Sequence, residues 1–104
     1  MARFDVYANP DAQERKLSPF FLDVQNDHIK GFQTHVMVPL WDSAVLSPLT
    51  ADLNPEFQVK RQRVVMDTPA LGAVAVTVFK RAINNLGAQQ LVVQNTLDTM
   101  FGSY

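Results

Sequence analysis

Few residues in this chain have the types and spacing that chemistry requires. The histidines are His28 and His35, seven positions apart across an expected turn, with Asp27 beside the first. A His–Asp pair works as a base only when a nucleophile stands within its reach. A zinc-type site needs three or four converging ligands. Neither arrangement can be read from the spacing, so both histidines are expected on exposed loops. Asp23 lies in an expected strand and reads as a half-buried, hydrogen-bonded carboxylate with a structural role. Lys60-Arg61-Gln62-Arg63 is a basic cluster that could touch phosphates. No aromatic side chains interleave with it, so it reads as a solvated hairpin tip. Trp41, the single tryptophan, reads as core or rim packing. The glycines are scattered and form no phosphate-binding loop.

The elements that would position these groups follow from the hydrophobic pattern. The chain has 104 residues, 47% of them hydrophobic, which is enough for one domain with a core. Its formal charge is -1, so no overall basic field points to nucleic acid. It contains no cysteine, which excludes disulfides, thiol catalysis and thiolate-held metal. No apolar run is long enough to span a membrane, and the N-terminus lacks the apolar stretch of a signal peptide. A cytoplasmic location is expected.

Strands are expected at roughly 3–8, 19–26, 34–40, 57–60, 63–67 and 73–79, and a helix at roughly 87–101. Phe20, Leu22 and Val24 share one strand face. Pro39 cannot donate to a ladder, so it is expected at a strand end or sheet edge. Val74, Val76 and Val78 give the clearest two-residue period. The period then changes. Val93, Leu97, Met100 and Phe101 mark one face of a helix, which Asn85 or Gly87 would start and Gly102 would end. Met100-Phe101-Gly102-Ser103-Tyr104 places two aromatics at the end, where polar residues are usual, and an apolar end of this kind docks on something. The expected architecture is mostly β with a C-terminal helix, a small barrel or curled sheet.

Several segments together resemble the CcdB toxin family. Phe4-Asp5-Val6-Tyr7 matches its opening Phe-x-Val-Tyr. Phe21-Leu22-Asp23-Val24-Gln25-Asn26-Asp27 resembles its Phe-Val-Asp-Val-Gln-Ser-Asp, and Val36-Met37-Val38-Pro39-Leu40 its Met-Val-Ile-Pro-Leu. Leu71-Gly72-Ala73-Val74-Ala75-Val76 resembles Met-Ala-Ser-Val-Pro-Val, and the helix ends on the same Met-Phe pair, Met100-Phe101. The segments keep the family's order and span the chain.

The resemblance implies an SH3-like barrel of the CcdB/MazF toxin type, with a small additional sheet, as a single domain over 1–104. It implies a homodimer formed partly around the helices, with Leu97, Met100 and Phe101 in the interface. It also implies a toxin of a toxin–antitoxin module, of the kind that serves plasmid maintenance. Such a toxin binds the A subunit of DNA gyrase, traps the cleaved complex and is neutralised by a CcdA-type antitoxin. Catalysis, a cofactor, a metal and direct sequence-specific nucleic-acid binding are not expected.

The gyrase-binding residues implied by position are Phe4, His28, Ile29, Asp98, Phe101, Gly102, Ser103 and Tyr104. The family's C-terminal Trp-Gly-Ile corresponds here to Gly102-Ser103-Tyr104, and its helix asparagine to Asp98. Losing a buried tryptophan anchor costs about 2–4 kcal/mol, or roughly 30- to 1,000-fold in affinity. One alternative is therefore a CcdB-fold homologue with a weakened or changed target. Another is an mRNA endoribonuclease like MazF or Kid, using Arg61, Arg63 and His28.

Overall fold

The computed structural model describes residues 2–26, 33–46, 50 and 52–102. The strands are β1 (Asp5–Ala8), β2 (Phe20–Asp23), β3 (Thr34–Asp42), β4 (Glu56–Val59), β5 (Gln62–Met66), β6 (Gly72–Ala75) and β7 (Asn84–Asn85), followed by the helix α1 (Gln90–Phe101). All pairings are antiparallel. The order β4-β5-β3-β2-β1-β7 curls into a nearly closed barrel, with β6 on β3. The small additional sheet is not separate, because the β4–β5 hairpin joins the same ladder through β3.

β3 makes this possible by its length. One edge pairs with β2, from Phe20↔Leu40 to Asp23↔Met37. The opposite edge pairs with β6 over Thr34–Met37 and with β5 over Leu40–Asp42. Pro39 sits where that edge changes partner. Its carbonyl accepts from Asp67 N at 3.0 Å. A strand residue's N and C=O point to the same edge, so the missing N–H falls in the gap between β6 and β5. The expected strand-end proline is thus inside a nine-residue strand, at the one kind of place a strand interior tolerates it.

The core is where the period-2 pattern put it. Val6, Phe20, Leu22, Val24, Val38, Leu40, Phe57, Val59, Val64 and Met66 point inward, and Leu86, Val93 and Leu97 close the end. The valine run 74–78 departs from expectation. β6 stops at Ala75 and Val76–Val78 form a 3₁₀ turn. Val76 N donates to Gln33 O at 2.8 Å, just before the first residue of β3, and the chain then turns with Phe79 N bonding Val76 O. The turn lays Phe79 against Tyr7 and Phe21, with ring centroids 5.4 and 5.7 Å away. Aromatic contact covers Phe79 in place of ladder pairing, while Val78 is left 48% exposed.

Candidate functional site

The first strand starts later than the pattern implies because Phe4 has a φ of +71°. That conformation costs a non-glycine residue about 1–2 kcal/mol and persists only where the surroundings enforce it. Two backbone bonds do so. Phe4 N donates to Asp23 O at 2.7 Å, and Leu86 N donates to Phe4 O at 2.8 Å. The kink turns Arg3 back over the Phe4 ring, with Cζ 4.9 Å from its centroid.

Arg3 also reaches the helix. Its Nη2 donates to Gln94 Oε1 at 2.9 Å, and Gln94 Nε2 donates to Asp98 Oδ1 at 3.2 Å. A relay therefore runs from the kinked N-terminal segment to Asp98.

The helix has two unlike stripes. Val93, Thr96 and Leu97 are buried, and the Thr96 hydroxyl is satisfied by Val92 O at 2.8 Å. Leu91, Gln94, Asp98 and Phe101, spaced three, four and three apart, lie within about 80° of arc on another side. Leu91 is 72% exposed and Phe101 66%. Met100, at the end of the inward stripe, is 36% exposed because the helix outruns the core there. Gly102 closes the helix at φ +68°, its N–H bonded to Asp98 O, as its position implied. Asn85 does not start the α-helix. It belongs to β7, and its Oδ1 instead accepts from Gly87 N at 2.7 Å, shaping the 3₁₀ turn Gly87–Gln89 that leads into α1.

Of the residues implied for the site, the structure gathers Phe4, Asp98, Phe101 and Gly102 at this end of the molecule. His28, Ile29, Ser103 and Tyr104 lie outside the described residues. Leu97, assigned to a dimer interface, is 8% exposed and packs in its own core, so it offers a partner little surface. Arg3, Gln94 and Leu91 were missed. The 3-4-3 spacing could have flagged Leu91 and Gln94, but nothing in the sequence pairs Arg3 with a residue 91 positions away.

His35 is not on an exposed loop. It is in β3, its side chain 15% exposed, with Nδ1 2.7 Å from Oδ2 of the fully buried Asp23. The register explains the meeting. Asp23 pairs with Met37, so His35 is its diagonal neighbour on the same face. Asp23 is more deeply buried than expected. Burial raises its pKa, against the lowering effect of the Gln25 N–H and His35. Tyr7 is also pushed up, by burial first and then by the Asp5 carboxylate, to which its hydroxyl donates at 3.2 Å. Among the described residues no hydroxyl bonds to either member of the Asp23–His35 pair. Geometrically it ties β2 to β3.

The basic cluster turns the β4–β5 hairpin, with Lys60 at φ +56°. Arg63 faces Glu56 at 3.7 Å, both exposed, a pair of small energetic value. Trp41 lies half-buried beside a cleft of about 210 Å³, with Leu17, Phe21 and Pro39. No group of three or more His, Asp or Glu side chains converges on a metal position among the described residues. No helix there is long and apolar enough to cross a membrane.

Fold and site define a curled β barrel capped by one helix, with its largest exposed apolar side chains concentrated on that helix. The chain belongs to the CcdB family: the family model described as CcdB protein matches residues 3–102. Among curated proteins, none matches.

Proposed function

We propose that this protein is the toxin of a type II toxin–antitoxin module, a cytoplasmic homodimer that binds the A subunit of DNA gyrase and traps gyrase on cleaved DNA. A CcdA-type antitoxin would neutralise it. The observation that carries this reading is Phe101, a large aromatic left 66% exposed at the end of α1 in a chain of the CcdB family. Exposed aromatics of this kind act as binding anchors. Asp98 lies one turn before it and is joined through Gln94 to Arg3, which covers the Phe4 ring; the family resemblance marks Phe4 and Asp98 for gyrase contact. Induction in gyrase-wild-type cells should accumulate cleavage complexes, and the purified protein should bind the A subunit of gyrase. No binding at tens of micromolar would reject the proposal.

A second reading keeps the fold and antitoxin and changes the target. It is favoured by Gly102, where the family places tryptophan, and by the charge on Asp98. Growth unaffected by induction, together with tight antitoxin binding, would support it. A gyrase mutation that restores growth under induction would exclude it. The ribonuclease alternative gains no support from the geometry, since Arg63 faces Glu56 and His28 lies outside the described residues.

A further inference from the structure

We infer that the cleft between Arg15 and Lys80 is an anion site for the phosphate group of a small molecule, either free phosphate or a phosphate monoester. No residue of α1 lines it, and its role does not depend on the toxin reading.

The fold brings the two cations together from distant parts of the chain. Arg15 belongs to the 3₁₀ turn Glu14–Lys16, and Lys80 follows the turn Val76–Val78. Both line one cleft of about 260 Å³, with Ala8, Asn9, Pro10 and Val78. Asn9 fixes the first cation. It is 2% exposed, and its N and Nδ2 donate to Pro19 O and Ser18 O, each at 2.9 Å. Its Oδ1 accepts from Asp11 N at 3.0 Å, and its carbonyl accepts from Arg15 Nε at 2.8 Å. The guanidinium is therefore tied by one edge to a buried, fully bonded residue. Phe79 fixes the second cation. Its ring rests against Tyr7 and Phe21, so the turn that interrupts the valine run also carries Lys80 to this cleft.

The donors that remain define the ligand. Neither the terminal nitrogens of Arg15 nor the Lys80 ammonium has a partner among the described residues. No carboxylate lines the cleft. Asp11 Oδ1 is engaged by the N–H groups of Gln13 and Glu14, and Glu14 lines the other cleft, beside Trp41. Two cations on one cleft repel each other, and an anion between them turns that repulsion into attraction. A fork of guanidinium N–H groups beside an ammonium offers more donors than a carboxylate accepts well, and the terminal oxygens of a phosphate take them. Val78, 48% exposed, and Pro10 supply an apolar wall for a group attached to the phosphate. A nucleic-acid backbone is tracked by a basic stripe, whereas two cations in a concave cleft suit one compact dianion.

The test titrates the full chain with inorganic phosphate at constant ionic strength and follows the backbone amide resonances of Asn9, Arg15 and Lys80. They should shift saturably, with a Kd of about 1 mM. Arg15→Gln and Lys80→Gln should each weaken binding about tenfold while leaving Tm within about 2 °C, because both side chains are exposed. Arg15→Lys should also weaken it several-fold, since it keeps the charge and loses the oriented fork. Arg63→Gln, on the β4–β5 hairpin, should leave it unchanged. Adenosine monophosphate in the same titration separates the two sources. Tighter binding than phosphate supports a monoester resting on Val78 and Pro10, and equal binding supports free phosphate. No saturable shift below about 20 mM, or wild-type affinity in the Arg15→Gln, Lys80→Gln double variant, would overturn the inference. So would acetate binding as tightly as phosphate, or duplex DNA binding more tightly than the monophosphate through the same two residues.

Discussion

The two stripes of α1 both carry large apolar residues but meet opposite situations. Val93, Thr96 and Leu97 face the barrel, and the side chains around them have closed over them. Leu91, Gln94, Asp98 and Phe101 face outward, with leucine and phenylalanine left in water beside a tethered carboxylate. The inward stripe is explained by folding alone. Nothing in the described molecule covers the outward one, although exposing Phe101 costs on the order of 2 kcal/mol relative to burying it. On the proposed function, the inward stripe is the scaffold and the outward one the contact surface.

Mutations should separate the stripes. The largest effect on stability is expected for Leu97→Ala, which opens a cavity and costs about 2–4 kcal/mol, lowering Tm by roughly 10–20 °C in calorimetry. A shift of only a few degrees would mean that the inward stripe is not core. Phe101→Ala should do the reverse, leaving Tm within about 2 °C and reducing binding to the A subunit of gyrase by roughly 30-fold or more. Equal loss of stability and binding would merge the two stripes into one structural feature.

Met100 lies between these cases, buried on one side and 36% exposed on the other. Met100→Asp should raise the monomer fraction in sedimentation if the proposed dimer uses the helix end. An unchanged dimer would place that interface elsewhere.

The smallest effect concerns pH and lies away from the helix. Asp23 has a raised pKa in the folded protein because it is buried. Its contribution to stability is therefore complete below its unfolded pKa and is lost as pH rises through the folded value. Asp23→Asn mimics the protonated form. Its Tm relative to wild type should improve as pH rises from about 4 to 7. A trend in the opposite direction would show that the ionised Asp23–His35 pair outweighs the burial of the carboxylate.

The parts of the fold legible in the sequence were those set by local period. The alternation through Phe20, Leu22 and Val24 located the barrel interior, and the change of period located α1 within a few residues. The valines at 74–78 misled because a period-2 pattern says which residues need cover but not whether a neighbouring strand is there to pair. β7 was not legible. Its two residues have no apolar pattern, and its pairing with Asp5 and Val6 is set by the kink at Phe4.

At the site, Phe101 and Asp98 were legible through resemblance and helical spacing. Their partners were not. Gln94 and Arg3 meet only after the barrel brings its first strand to its last helix. His35 joins Asp23 only through strand register. Long-range polar pairs carry no local signature, which is why both networks emerged only with the fold.

Hydrogen exchange of the protein alone and mixed with the A subunit of gyrase tests the central claim most directly. Binding through the outward stripe predicts added protection at the end of α1, through Phe101 and Gly102, and at the kinked segment around Phe4, with the β4–β5 hairpin unchanged. Protection centred on the β4–β5 hairpin, or none anywhere, would contradict it.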